Sequence, residues 1–455
     1  MQKWLAAALD YIPLWLEHQI RQTDQPGCVI AIAEQGRLLL EQAFGYADIA
    51  GQLPLTPRHR FRVASHSKSF TATGIMKLRE QGRLRLDDRV GDHIKGFHRA
   101  INCATIAQLL SHAAGITRDG PDSGYWQGRR PFPNADRLRE LLALPPVTEA
   151  NTRFKYSNLG YGLLGLVTER LTGEPYCQWI KTAVIEPAGL LETDPDMPFA
   201  GNAELARGYG SRLPAGCRFR IAGDGAAHAL APATGFVSTA ADLVRFFAQL
   251  DPAAKKSVLP RASRREMVHG SWRDPNLSTE RYYGLGITSG VTAGNAWFGH
   301  HGAFQGFTTR TAVVPSFQLT ISVLTNAVDG PASAWLDGIV HILATSAAHG
   351  VPSKSVRDWT GRWWSIWGAV DLVPMGRHVM IGAPALLTPF LDGSRISVSG
   401  HDRGRIDLAP GFASRGEPVK RVRSNRGDVD ELWLGGNRLL PEAEFVAELK
   451  QYHKT

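Results

Sequence analysis

The stretch Val63-Ala64-Ser65-His66-Ser67-Lys68-Ser69-Phe70 holds the only Ser-x-x-Lys in the chain. Serine is a poor nucleophile at its ordinary pKa and needs a base within hydrogen-bond reach. On a helix, Ser65 and Lys68 stand three residues apart and share one face, with the serine near the amide-rich N-terminus. The run from Thr71 to Gly82 spaces its apolar residues at helical intervals and ends on a glycine suited to a C-cap, so it predicts that helix. Such a motif arises about once by chance in a chain this long, so its meaning depends on partners elsewhere.

Toward the N-terminus, the pattern predicts an amphipathic helix from Gln2 to about Gln22 and an antiparallel hairpin of residues 27–33 and 37–44 around Glu34-Gln35-Gly36. Downstream, residues 105–115 read as a helix, within which His112 reads as structural. Residues 121–133, rich in Gly, Pro, Arg and aromatics, form a loop that borders a pocket or covers surface. Phe154 to Gly165 is a polar turn feeding an apolar helix that stops near Gly173. Residues 233–237 predict a buried strand leading to an N-cap at Ser238 or Thr239 and a further helix. Strands are expected over residues 283–288, 296–307, 309–314 and 319–326, then a helix over 332–347.

From Trp359 the character changes. Four tryptophans cluster by Trp367, and short alternating runs are broken by Met375-Gly376, Asp392-Gly393 and Gly435-Gly436, which argues for a small all-β barrel or sandwich. The expected division is a first domain over 1–350 and a second over 356–455. A length of 455 residues fits two or three domains.

Composition excludes several function classes. Apolar residues at 43% and charged residues at 20% describe a globular chain, not a disordered one. The net charge of +9 is scattered, with no Lys/Arg block and no zinc-finger spacing, so no nucleic-acid partner is expected. No run of 18 apolar residues occurs, so no membrane partner is expected either. The four cysteines lack C-x-x-C spacing and read as reduced thiols, and the first apolar run is too short for a secretory signal; cytoplasmic localisation is the expectation. The absence of Gly-x-Ser-x-Gly excludes an α/β-hydrolase esterase. No His-Glu-x-x-His occurs, and adjacent His300 and His301 point to opposite sides of a strand, so no metal and no cofactor are expected.

Three elements line up in order: Ser65-His66-Ser67-Lys68, Tyr156-Ser157-Asn158 and His300-His301-Gly302. Together they resemble the penicillin-recognising serine hydrolases, in the branch of class C β-lactamases, D-alanyl-D-alanine carboxypeptidases and family VIII or CubicO-type esterases. Flanking residues agree, notably Leu109-Leu110-Ser111-His112-Ala113-Ala114-Gly115, Gly235-Phe236-Val237-Ser238-Thr239 and Gly306-Phe307. The resemblance covers about residues 10 to 350. It implies an α+β, β-lactamase/transpeptidase-like fold, with an antiparallel sheet flanked by helices plus a helical subdomain. The region after Thr360-Gly361-Arg362-Trp363 resembles the lipocalin-like barrel appended to some relatives.

The resemblance also implies roles. Ser65 would be the acylated nucleophile, with Lys68 and Tyr156 sharing proton transfer and the choice of base left open. The backbone N–H groups of Ser65 and Ala303 would form the oxyanion hole. His300 stands where many relatives carry the lysine of Lys-Thr-Gly and joins the catalytic set. Asn158, His301 and Gly302 would bind substrate, Gly302 by letting it approach the strand closely. His301 replaces a hydroxyl residue, which puts carboxylate recognition in doubt. The implied activity is hydrolysis of amide or ester bonds through an acyl-enzyme, on small D-amino-acid peptides or amides or on carboxylic esters. A class C-like β-lactamase or D-alanyl-D-alanine carboxypeptidase is the alternative. A ligand-binding protein that retains the fold is the non-enzyme alternative, disfavoured because Ser65 and Lys68 are both present. The expected partner is a small amide, ester or short peptide, and the oligomeric state is open.

Overall fold

The strand Gly27–Glu34 (β1) is apolar at nearly every position and buried on both faces, which makes it a central strand. A tight turn joins it to Arg37–Asp48 (β2), with Gln35 and Gly36 both left-handed at φ 50° and 83°, as a two-residue hairpin requires. The computed structural model describes residues 3–199, 204–277, 279–411 and 413–452. These fall into two units, residues 24–336 and residues 1–23 with 337–455.

In the unit 24–336, β1 also pairs with the strand Leu319–Thr325, and antiparallel pairing continues outward from there. With Arg281–Tyr283 as β3, Thr288–Thr292 as β4, Asn295–Phe304 as β5, Phe307–Val314 as β6 and Leu319–Thr325 as β7, the sheet runs β2-β1-β7-β6-β5-β4-β3. Two-residue strands extend each edge, giving nine in all. The expected strand over 283–288 is interrupted: a glycine-bearing turn at 284–287 separates β3 from β4, and Gly286 is left-handed at φ 71°.

The helix Ser67–Glu80 (α1) is buried along nearly its whole length. Its polar residues are tolerated there because they are paired: Thr71 and Thr73 donate to the carbonyls of Ser67 and Ser69, and Ser69 donates to the Gly286 carbonyl at 2.7 Å. Phe70 stacks on Phe246 of the helix Ala240–Leu250 (α2) at 3.8 Å and on Phe236 at 4.5 Å. Each such ring contributes roughly 1.5–3 kcal/mol by burial. Thr239 is the N-cap of α2, accepting from Asp242 N–H. The expected strand before it is only Val237–Ser238, because Ala231–Gly235 forms a helical turn whose carbonyls face α1.

In the other unit, eight antiparallel strands pair in chain order from Gly361–Ser365 to Asn437–Leu439. Trp364 and Leu440 exchange backbone hydrogen bonds at 2.7 and 2.9 Å, bringing the ends together into a barrel-like sheet. Trp359, Trp363, Leu372, Ile396, Val419 and Leu432 fill its core. The helix Leu5–Gln22 belongs to this unit. Tyr11 Oη donates to Asp371 at 3.0 Å, Trp15 Nε1 to the Leu386 carbonyl at 3.1 Å and Gln19 Nε2 to the Pro384 carbonyl at 2.6 Å. The division therefore differs from the expected 1–350 and 356–455. An amphipathic stripe states that a helix packs, but not on what. Among the described residues, no helix is long and apolar enough to cross a membrane.

Candidate active site

Ser65 sits in the one-turn 3₁₀ segment Ala64–His66 that enters α1. Ala64 is left-handed at φ 49°, a conformation that costs a non-glycine residue roughly 1–3 kcal/mol. Local bonds hold it there. Ser67 Oγ donates to the Ala64 carbonyl at 2.5 Å and accepts from Phe236 N–H at 3.1 Å, and Val63 N–H donates to the Phe236 carbonyl at 3.0 Å.

Lys68 is fully buried one turn below. Its Nζ lies 3.2 Å from Ser65 Oγ, 2.7 Å from Asn158 Oδ1 and 2.8 Å from the Ala233 carbonyl oxygen. Burial pushes its pKa well below the ordinary ammonium value; Asp119 opposes that shift and Arg118 adds to it. In its neutral form the amine has two N–H donors and one lone pair, so donating to the Asn158 and Ala233 oxygens would leave the lone pair to the Ser65 hydroxyl.

Tyr156 approaches from the other side, its Oη 2.8 Å from Ser65 Oγ. Burial raises its pKa above the ordinary phenol value, with the Ser65 hydrogen bond and Arg118 opposing, so it stays protonated. Its ring lies 4.1 Å from that of His112, whose Nδ1 accepts from Ser157 N–H at 3.1 Å. Ser157 caps the helix Asn158–Thr172 (α3), accepting from Gly160 N–H at 2.9 Å. That cap and the His112 ring set where Tyr156 points.

On β5 the side chains alternate: His301 and Ala303 are exposed, whereas His300, Gly302 and Phe304 are buried. Pairing with β4 stops at Gly299, so among the described residues His300–Phe304 keeps only β6 as a strand neighbour and presents an open edge. Ser65, Tyr156, His301 and Ala303 line one cavity of about 320 Å³ together with Arg118, Arg281 and Tyr283. Desolvation lowers the His301 pKa first, followed by the charges of Arg281 and Arg310.

Two sequence expectations change here. His300 is not a lining residue of that cavity but lies behind Tyr283, its Nδ1 2.7 Å from the His301 carbonyl and its Nε2 3.1 Å from Tyr283 Oη. Burial lowers its pKa well below the ordinary value, with His301 and His66 adding to the effect, so the ring is neutral. Since a carbonyl only accepts, Nδ1 carries the hydrogen and Nε2 accepts from Tyr283. Gly302 does not face the cavity either. A Cβ there would strike the Val63 carbonyl oxygen and Ala64 Cβ, so the glycine serves the contact between β5 and the Ser65 segment.

The sequence reading missed Asp119 and Arg118. Asp119 Oδ1 accepts from Asn158 Nδ2 at 2.7 Å, which turns Asn158 Oδ1 toward Lys68. Arg118 pairs with Asp119 at 3.1 Å and stands 5.5 Å from the Tyr156 ring centroid. An Arg-Asp pair in a loop just past a helix-stopping glycine was the available signal. Among the described residues, no group of three His, Cys, Asp or Glu could hold a metal ion.

The family model described as Beta-lactamase matches residues 15–344. Penicillin-binding protein 4* of Bacillus subtilis (strain 168) is 37% identical over 174 residues, 37% of each chain. The chain spans just over a third of the length of the curated relatives it matches. Among solved structures, the octameric penicillin-binding protein homologue from Pyrococcus abyssi is similar at a TM-score of 0.65 and 22% identity, over 95% of this chain and 99% of that one. A D-stereospecific amidohydrolase from Streptomyces sp. is similar at a TM-score of 0.58 and 24% identity, over 71% of this chain and 94% of that one.

Proposed function

The chain belongs to the Beta-lactamase family, whose model spans residues 15–344, and from that premise we propose that it is a serine hydrolase acting on amide or ester bonds. One observation carries the reading: Ser65 Oγ lies between a buried lysine at 3.2 Å and a tyrosine hydroxyl at 2.8 Å, at the wall of an open cavity.

In this reading Ser65 Oγ attacks the substrate carbonyl carbon while its proton moves to neutral Lys68; the lowered pKa of Lys68 and the raised pKa of Tyr156 support the lysine as base. Negative charge collects on the carbonyl oxygen and is met by the backbone N–H groups of Ser65 and Ala303. Donors placed there contribute about 3–4 kcal/mol each. The tetrahedral adduct collapses as Tyr156 gives its proton to the leaving amine or alkoxide and recovers one from the Lys68 ammonium. Water then attacks the acyl-enzyme, with the same groups returning a proton to Ser65 and releasing the acid. Asn158 orients Lys68, while His301, Arg118 and Arg281 border the substrate.

Small D-amino-acid amides or peptides are the proposed substrates, with carboxylic esters beside them. A cavity of about 320 Å³ edged with Phe154, Trp272 and Tyr282 supports a small substrate of either class. Cytoplasmic placement belongs to the same proposal, supported by four free cysteines. The test is the intact mass after exposure to a fluorophosphonate, with Ser65→Ala alongside. A single adduct on the native chain alone is the expected result, and equal labelling of both would overturn the assignment. A second incubation with a penicillin separates the alternatives: a stable adduct or rapid turnover would favour the carboxypeptidase or β-lactamase reading.

A further inference from the structure

The proposed oxyanion donors lie on different chain segments, Ser65 before α1 and Ala303 near the end of β5, so something must hold those segments at one spacing. The structure assigns that task to a buried stack of Arg62 on Phe304, which makes these two residues positioning residues for the oxyanion hole. The inference rests on the serine-hydrolase reading above.

Arg62 lies three residues before Ser65, and Phe304 follows Ala303 directly. The Arg62 guanidinium carbon stands 4.1 Å from the centre of the Phe304 ring. Arg62 is wholly buried, and among the described residues none of its three guanidinium nitrogens has a hydrogen-bond partner. Asp196 is 3.7 Å away, but its carboxylate already accepts from the backbone N–H groups of Ala227 and His228 at 2.8 to 2.9 Å. Asp224 adds a second, smaller counter-charge. Burying a guanidinium that makes no hydrogen bond is still costly, and a packed apolar residue commonly serves stability as well or better. Stability therefore does not account for an arginine at this position.

Its placement does. The Phe304 ring that receives the cation also stacks parallel to Phe132 at 5.5 Å and meets Trp126 edge-on at 5.5 Å. Next to it, Gln305 Nε2 donates to the Tyr125 carbonyl at 2.8 Å. The aromatic loop thus grips the end of β5 on one side, and Arg62 grips the same ring from the nucleophile's segment. The close approach of Gly302 to Val63 and Ala64 is a second tie between the same two segments. Two ties fix both spacing and tilt, which one contact cannot do. Oxyanion donors act only if they are held where charge develops, and a displacement of about 1 Å can cost on the order of a hundredfold in rate.

The experiment compares the full-length native chain with Arg62→Met, Arg62→Lys and Phe304→Leu. The readouts are thermal stability, kcat and KM on p-nitrophenyl butyrate, and the inhibition constant of phenylboronic acid. The boronate forms a tetrahedral adduct on serine with an oxygen in the oxyanion hole, so its affinity reports donor placement. Arg62→Met and Phe304→Leu are expected to lower kcat about tenfold or more and to weaken the boronate by a similar factor, with KM changed far less. Arg62→Met takes the guanidinium away from Asp196, so its thermal stability is measured beside the rate, and the boronate affinity of the folded molecules reports donor placement separately from stability. Arg62→Lys, which keeps a cation over the ring, recovers part of the rate. Folded variants with kcat and boronate affinity within about twofold of native would overturn the inference, as would rate losses that track stability while boronate affinity holds. If Arg62→Met fails to fold, Phe304→Leu carries the test. Ser65→Ala is assayed beside them. Native-like activity in that variant would defeat the serine-hydrolase reading itself, a result separable from unchanged Arg62 and Phe304 variants.

Discussion

Gly302 lies against Val63 so closely that no side chain fits between them, and the strand bearing Ala303 meets the segment bearing Ser65 backbone to backbone. Gly302→Ala is therefore expected to destabilise the protein by about 1–3 kcal/mol through overpacking and to lower kcat in the molecules that remain folded. Thermal melts and initial rates check this. A variant with native stability and rate would show that the contact yields.

Tyr156→Phe keeps the ring that packs on His112 and removes only the hydroxyl 2.8 Å from Ser65 Oγ. The rate is expected to fall by about 10²–10⁴-fold with little change in melting temperature, the usual loss for a proton-transfer group. Retention of most of the rate would assign the phenol to packing.

The pH profile follows from Lys68. Burial lowers its pKa, and Asp119 pulls it back up. With the neutral amine as the proposed base, kcat/KM should rise with pH through the folded pKa of Lys68 and then level. The raised pKa of Tyr156 keeps the phenol protonated, so no alkaline loss is expected below the ordinary tyrosine range. Asp119→Asn removes the charge that favours the ammonium, so the acid limb should move to lower pH. The maximal rate should also fall, since Asn158 loses its carboxylate anchor. A limb moving to higher pH would contradict the lysine as base.

His300 and His301 should separate cleanly. His300→Ala leaves a buried hole and takes the His300 partner from the Tyr283 hydroxyl, at a cost of about 2–4 kcal/mol. His301→Ala acts on an exposed side chain, so stability should change by no more than about 0.5 kcal/mol while KM shifts. Denaturation curves and steady-state kinetics on both variants distinguish the two positions.

Exhaustive chelation should leave the rate unchanged, because the proposed chemistry uses only Ser65, Lys68, Tyr156 and backbone donors. Loss of activity that zinc restores would overturn it.

Much of this site was legible in the order of residues alone. Local spacing determines local geometry, so Ser-x-x-Lys at the head of a helix already brings Ser65 and Lys68 to one face. The hairpin at Gln35-Gly36 and the cap ahead of α2 are likewise short-range, decided by residues two or three apart. Alternation on β5 states that His300 and His301 face opposite ways, yet not which one meets the cavity. That phase is set by what lies on each side: Tyr283 behind one face, and the open edge beyond Gly299 on the other.

What only the tertiary structure decided is long-range. Tyr156 comes within 2.8 Å of a serine 91 residues away, and Asp119 reaches Asn158 across 39. The helix Leu5–Gln22 packs on Asp371 and Pro384, through contacts that span 360 and 365 residues of the chain. The Gly302 contact reaches back to Val63 and Ala64, and the buried Arg62 stands over Phe304. Contacts of this kind depend on loop closure and on packing among elements distant in sequence, and no local period encodes either one. The residue types and their spacing determined which chemistry the chain could carry; the packing of β5 against the Ser65 segment decided which side chains face the cavity and which lie behind it.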